Sequence, residues 1–188
     1  MEPSVDALAD TLRNSGACCP LKDWPGNLQH LDEPGLYAWW IDAAGAEIAT
    51  ARLESEIEPG IVYAGQAGAY RRRPSSATLQ SRLERNHIGG RIRNSTFRLT
   101  LAALLFDDVE PQNLGGRNIG SAGEAIVTDF MWSHLSLTVV RYGDRRALAV
   151  VEESVLSILD PPLNIQKVTM TPIRQVLKAR RSILRQST

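Results

Sequence analysis

Arginine is concentrated in the middle of the chain, between residues 71 and 98. This stretch holds eight arginines and only one acidic residue, Glu84: the arginines are Arg71, Arg72, Arg73, Arg82, Arg85, Arg91, Arg93 and Arg98. The planar guanidinium presents a fork of donors that matches phosphate oxygens, so this composition indicates a surface that binds a polyanion. An equally good interpretation is a solvated helix face whose charge is balanced by the acidic N-terminal third of the chain.

Two short apolar runs carry tyrosines at similar places. The run GLYAWW at 35–40 contains Tyr37, and the run GIVYAGQA at 60–67 contains Tyr63, which Ala64 and Gly65 follow. Both runs begin with Gly, are rich in aromatic and β-branched residues, and are bounded by turn-forming segments, which is typical of strands. The simplest arrangement is two antiparallel strands joined by the long, acidic connection that lies between them.

This pair of runs resembles the two signature tripeptides of the GIY-YIG nucleases. Gly35-Leu36-Tyr37 stands in the place of the first tripeptide, and Tyr63-Ala64-Gly65 stands in the place of the second. The resemblance covers roughly residues 34–166 and implies an α/β (α+β) fold with a small, mainly antiparallel sheet of about three strands flanked by helices. Residues 1–33 would form an N-terminal helical and loop extension, and residues 167–188 a C-terminal basic helix.

The resemblance also indicates which residues form the site. The family places a catalytic arginine on the helix after the second tripeptide, where Arg82 stands, and a histidine follows it at position 87. The metal-binding glutamate would be Glu152, because Pro161 and Asn164 follow it at the intervals found in the nuclease subunit of bacterial excision repair. Two alternatives remain open. Arg73 has a spacing that some members use, although Pro74 disfavours a helix there, and Glu153 adjoins Glu152.

These matches imply a metal-dependent hydrolysis of phosphodiester bonds. Glu152 would bind one Mg²⁺ (or Mn²⁺) ion, since a lone carboxylate with water ligands suits this cation. Tyr37, aided by Tyr63 or His87, would orient or deprotonate the attacking water, and deprotonation would need a phenol pKa lowered by nearby cations. Arg82 would hold the scissile phosphate, and Asn164 would position the substrate or support the site. The expected products carry 5′-phosphate and 3′-hydroxyl ends.

The resemblance implies DNA as the substrate and leaves RNA open. The arginines expected to contact the nucleic acid are Arg71, Arg72, Arg73, Arg85, Arg91 and Arg93. Cleavage of both strands from one site per chain would suggest a homodimer. A second hypothesis is a nucleic-acid-binding module of this fold with little or no turnover, and a third is a structural or interaction domain. Convergence of Tyr37, Arg82 and Glu152 on one cleft would favour the enzyme.

The site residues need a scaffold of alternating helices and strands. Helices are predicted to begin after Ser4, Ser76, Ser95, Ser121 and Thr171, with Ser121 and Glu124 spaced as a capping box, and another helix is predicted within 145–160. Strands are predicted at 35–42, 60–65 and 135–142, with a further short strand possible around 47–53, and a loop is predicted at 107–120.

Composition limits the class of protein. The chain has 188 residues, of which 43% are hydrophobic, and its 21 basic residues balance 21 acidic ones. Its apolar runs are too short or too polar to span a bilayer, and the N-terminus does not resemble a secretory signal. Cys18 and Cys19 are adjacent and cannot form a zinc site by themselves. We therefore expect a cytoplasmic protein without a membrane partner.

Overall fold

The computed structural model describes residues 2–70, 75–109 and 118–186. Its centre is one antiparallel sheet of four strands in the order β1-β4-β2-β3. The strands are β1 (Cys19–Pro20), β2 (Gly35–Ile41), β3 (Gly60–Ala67) and β4 (Leu135–Arg141). The mixed fold with a small antiparallel sheet is thus confirmed. The expected count of about three strands omitted β1, a two-residue edge strand in a Pro-containing segment.

Seven helices flank the sheet in the described part of the chain. They are α1 (Val5–Arg13), α2 (Ala43–Leu53), α3 (Leu79–Arg82), α4 (Thr96–Leu104), α5 (Gly120–His134), α6 (Leu148–Leu159) and α7 (Pro172–Ile183). A π-helical segment, Leu83–Ile88, continues α3 without a break. Three predicted N-caps are confirmed: Ser4, Ser95 and Thr171 each accept a hydrogen bond from the backbone N–H three residues further on.

The central strand β2 places its side chains alternately on the two faces of the sheet. Tyr37 lies opposite Gly65 of β3, and Trp39 lies opposite Tyr63, before a β-bulge that follows Trp39. Tyr37, Trp39 and Ile41 belong to the hydrophobic core on one face, whereas Leu36 belongs to the core on the other face. The two signature runs therefore form one antiparallel pair, as predicted.

Each face of the sheet has its own core. On one face, α2, α4, α5 and α7 contribute to a large cluster in which Trp39 stacks on Phe97 at 4.7 Å between ring centroids. On the other face, Leu8 of α1 packs in a smaller cluster with Leu148 and Val155 of α6, the helix Leu148–Leu159. Since β3 and α6 are in contact, residues of this strand and this helix can share one site.

Three local predictions were wrong. The segment 47–53 is part of helix α2, which begins after the N-cap Asp42, because its alanine-rich sequence favours helix once it is capped. Ser76 does not cap the helix that follows; Thr78 does, in a reciprocal capping box with Ser81. Ser121 lies inside α5, and the carboxylate of Glu124 binds Arg98 and the backbone N–H of Ile92 instead of a helix end.

Other expectations are met or fall partly outside the described residues. The predicted strand at 135–142 is β4, and the predicted helix within 145–160 is α6. The predicted loop at 107–120 falls mostly on residues 110–117, which lie outside the described residues. In the part of the chain that is described, no helix combines the length and apolarity needed to cross a membrane.

Candidate active site

Five of the six predicted catalytic residues line one pocket of about 860 Å³, which runs along β3. They come from five parts of the fold: Tyr37, Tyr63, Arg82, Glu152 and Asn164. The sixth, His87, is fully buried behind Tyr37. Tyr37, Arg82 and Glu152 thus converge on one pocket, which is the arrangement expected to favour an enzyme.

Gly65 makes room for the phenol of Tyr37. A Cβ atom at position 65 would lie 2.7 Å from Tyr37 Oη, which is closer than such atoms approach in proteins. The hydroxyl itself lies 2.8 Å from His87 Nε2. The glycine of the second tripeptide and the histidine therefore hold the tyrosine of the first tripeptide in one position.

His87 is in turn fixed by a buried network. Its Nδ1 lies 2.7 Å from Ser95 Oγ, which also accepts the backbone N–H of Arg98 as the N-cap of α4. The buried Arg98 guanidinium donates to the carbonyl of His87 and forms an ion pair with Glu124. Burial, together with the charges of Arg82 and Arg98, lowers the pKa of His87 well below its usual value. The imidazole is therefore neutral at physiological pH.

Arg82 ends α3 and points its guanidinium towards the two tyrosines. Its Nε is buried and has no hydrogen-bond partner among the described residues. Burial alone would lower the pKa of Arg82, but interactions with Tyr37, Tyr63 and Glu152 raise it, so the group stays charged. A buried N–H of a cation without a partner is costly, and this N–H is available to a hydrogen-bond acceptor in the pocket.

Asn164 supports the pocket from beneath β3. Its amide makes two hydrogen bonds to the backbone of Ala64, accepting from the N–H and donating to the carbonyl, each at 2.9 Å. The buried guanidinium of Arg174 donates to the carbonyls of Asn164 and Pro161 and to the carboxylate of Asp160. Asn164 thus ties the turn after α6 to the second signature tripeptide.

Glu152 is the single carboxylate among the described residues that line the pocket. Its Oε2 lies 2.9 Å from Lys167 Nζ, which also lies 3.0 Å from Glu153 Oε1. Glu153 is more exposed and does not line the pocket. Among the described residues no group of three or more His, Cys, Asp or Glu side chains could hold a metal. A single carboxylate suits a divalent cation that keeps most of its water ligands, as Mg²⁺ does.

The comparison with protein families agrees with this geometry. The model of the GIY-YIG catalytic domain matches residues 35–183, from the first strand of the signature pair to the end of α7. The chain belongs to this family. Comparisons with curated proteins and with solved structures gave no match. A GIY-YIG domain is a nuclease-type fold, which implies a nucleic acid as the substrate class.

The two tyrosines of this GIY-YIG domain do not have the lowered pKa that a general base would need. Burial raises the pKa of Tyr37 well above its usual value, and the neighbouring charge of Arg82 offsets only part of that rise. Burial raises the pKa of Tyr63 too, against a hydrogen bond with Thr96 and the charges of Arg82 and Arg181. The cations of the pocket therefore do not bring either pKa below its usual value, and both phenols are neutral at physiological pH.

The predicted nucleic-acid-binding arginines are placed in part. Arg85, Arg91 and Arg93 are exposed, around the π-helical segment and the turn before α4. Arg71, Arg72 and Arg73 lie outside the described residues, which leaves the alternative of Arg73 as the catalytic arginine open. Arg98, counted in the arginine-rich stretch, is 1% exposed and pairs with Glu124, so it supports the fold and is not part of a binding surface.

Two cations of the GIY-YIG pocket were not recognised from the sequence. Lys167 follows Asn164 by three residues, and Arg181 lies on α7. The sequence predicted only that residues 167–188 form a basic helix. The basic composition of α7 predicts a positively charged helix, but it does not predict which basic residue faces the pocket.

Proposed function

We propose that this GIY-YIG domain is a divalent-metal-dependent endonuclease that hydrolyses DNA phosphodiester bonds and leaves 5′-phosphate and 3′-hydroxyl ends. The observation that carries the proposal is the convergence of Tyr37, Arg82 and Glu152 on one pocket. These side chains supply hydrogen bonding for a water, a cation for phosphate and a carboxylate for a metal. Phosphodiester hydrolysis requires these three functions together.

Arg82 would hold the scissile phosphate. Its buried Nε lacks a hydrogen-bond partner among the described residues, and a phosphate oxygen would supply one. Hydrogen bonds between a guanidinium and phosphate are charge-assisted, and they are stronger in a site that excludes water than on the surface. The same charge would stabilise the additional negative charge that develops on the phosphate during attack.

Tyr37 would orient the attacking water rather than remove its proton. Its raised pKa keeps the phenol neutral, and the nearby His87, whose pKa is lowered, is a weak base. A neutral hydroxyl held by His87 and packed over Gly65 can still fix the direction of a water by hydrogen bonding. Tyr63, on the facing strand, would assist from the same pocket.

Glu152 would hold the metal. Asn164 would fix the position of the turn after α6 relative to β3 through its hydrogen bonds to Ala64. A bound Mg²⁺ or Mn²⁺ ion would supply a Lewis acid for the phosphate and the leaving oxygen. In the overall reaction, the water oxygen bonds to phosphorus and the bond from phosphorus to the 3′-oxygen breaks. One proton of the water ends on that 3′-oxygen, which gives the two expected chain ends.

The exposed Arg85, Arg91 and Arg93 would contact the sugar–phosphate backbone outside the pocket. Such contacts do not depend on base sequence and weaken with salt. Cleavage of both strands in a single binding event would need a second pocket, so the proposal includes a homodimer for double-strand breaks.

The test is cleavage of end-labelled duplex DNA and of an RNA of the same sequence, with Mg²⁺, with Mn²⁺ and with EDTA. We expect DNA cleavage with either metal, none with EDTA, and products that T4 DNA ligase can rejoin after annealing. Salt-dependent binding without cleavage under any condition would instead favour the inactive nucleic-acid-binding module. Preferential cleavage of the RNA would change the substrate class.

A further inference from the structure

A second arginine, Arg181, shares the pocket with Arg82. It lies near the end of α7, is only 6% exposed and lines the pocket. Its Nη1 lies 3.4 Å from Thr100 Oγ1 on α4, the helix against which α7 packs. The C-terminal helix therefore brings a buried guanidinium to the site.

The two guanidiniums act on the same part of the pocket. Both of their charges oppose the rise in pKa that burial causes at Tyr63, whose hydroxyl lies 3.3 Å from Thr96 Oγ1. Thr96 begins α4 and also lines the pocket. Arg82 and Arg181 therefore both lie close to Tyr63, although Arg82 comes from α3 and Arg181 comes from α7.

The lining of the pocket is positively charged. Among the described residues, it contains the cations Arg82, Lys167 and Arg181 and one carboxylate, that of Glu152. Lys167 forms an ion pair with Glu152. Two guanidiniums in one pocket suit a phosphate group, whose oxygens can accept hydrogen bonds from both forks.

We propose that Arg181 is a phosphate-binding residue of the active site, which holds a phosphate of the substrate strand together with Arg82. This inference rests on the proposed nuclease function and extends the site to α7. The alternative is a structural role, in which Arg181 serves only to tie α7 to α4 through Thr100. The two roles differ in whether removal of the guanidinium changes phosphate binding in a protein that remains folded.

The test is binding of thymidine 5′-monophosphate to the full chain, measured by isothermal titration calorimetry. This probe carries the 5′-phosphate expected of a product. When it is bound in the pocket, it is too small to contact the exposed arginines outside the pocket as well. We expect Arg181→Met to weaken binding about tenfold or more, since a charge-assisted hydrogen bond is lost. Arg185→Met is the matched control: Arg185 is exposed, lies just beyond α7 and does not line the pocket, so its affinity should be unchanged.

Two further variants separate binding from structure. Thr100→Val removes the hydrogen bond between Thr100 and Arg181 and keeps the guanidinium, so it should bind the nucleotide as the wild type does. Arg181→Lys keeps the charge without the fork and should bind about threefold more weakly. Arg181→Lys also decides the matter if Arg181→Met fails to fold. Equal losses in Thr100→Val and Arg181→Met, or wild-type affinity in Arg181→Lys, would overturn the inference.

The outcome also separates this inference from the proposed function. Suppose that the wild-type protein cleaves DNA but has the same affinity for the nucleotide as folded Arg181→Met. This result would overturn the role of Arg181 and leave the proposed nuclease function standing. Wild-type protein that neither cleaves DNA nor binds the nucleotide would overturn both.

Discussion

Replacing Lys167 by Met should strengthen the binding of a divalent cation. The ammonium of Lys167 lies 2.9 Å from Glu152 Oε2, the carboxylate that we expect to hold the metal. A cation that binds Glu152 must therefore compete with a resident positive charge. Lys167→Met keeps much of the aliphatic stem and removes that competitor.

The expected magnitude follows from the exposure of the ion pair. The side chain of Lys167 is 32% exposed and that of Glu152 is 15% exposed, so solvent screens the pair in part. A pair of this kind contributes about 1 kcal/mol, which corresponds to about fivefold tighter metal binding in the variant. Loss of the pair should lower the free energy of unfolding of the metal-free protein by a similar amount, about 1 kcal/mol.

The assay is titration with Mn²⁺, in which the free ion is followed by electron paramagnetic resonance. Lys178→Met is the matched control, because Lys178 is exposed on α7 and does not line the pocket. The control should bind Mn²⁺ as the wild type does, and Glu152→Gln should lose most of the binding. Equal or weaker Mn²⁺ binding in Lys167→Met would refute the competition between the ammonium and the metal.

Two other predictions concern the residues around Tyr37. His87 is buried and its pKa is lowered, so as the pH falls the unfolded state protonates His87 at a higher pH than the folded state does. The free energy of unfolding should therefore fall as the pH drops below about 6.5, by up to about 1.4 kcal/mol per pH unit. Urea unfolding at pH 5 and pH 7 should show this loss in the wild type and a smaller one in His87→Gln; identical losses would contradict it. In Gly65→Ala the new Cβ would displace Tyr37 Oη, so kcat should fall about tenfold or more in a folded protein. Unchanged kcat with normal circular dichroism would show that the position of the phenol is unimportant.

The sequence predicts well where one local signal decides the structure. Ser4, Ser95 and Thr171 were recognised as N-caps because each precedes a helical pattern, and each accepts a hydrogen bond from the third residue of its helix. The same reasoning failed at Ser121, because the glutamate of the apparent capping box is engaged by Arg98, a contact that depends on how α4 and α5 pack. Residues 47–53 were misassigned because a short apolar run suits a strand or a helix equally well.

The site was predicted where the family motif and the spacing agree, and not where tertiary packing alone decides. Tyr37, Arg82 and Glu152 lie in the pocket as expected. The raised pKa of Tyr37 could not be predicted, because it depends on burial that no motif records. Arg181 was missed for a similar reason, since several cations on α7 are equivalent in sequence and only the packing of α7 on α4 brings this one to the pocket.

The central claim is tested most directly by cleavage of supercoiled plasmid DNA with Mg²⁺ or Mn²⁺. Wild-type protein is compared with Glu152→Gln and with the matched control Glu153→Gln, which changes the adjacent, more exposed carboxylate outside the pocket. We predict nicking or linearisation by the wild type and by Glu153→Gln, and none by Glu152→Gln. Undiminished cleavage by purified Glu152→Gln would contradict the assignment of Glu152 as the metal ligand and the active site built around it.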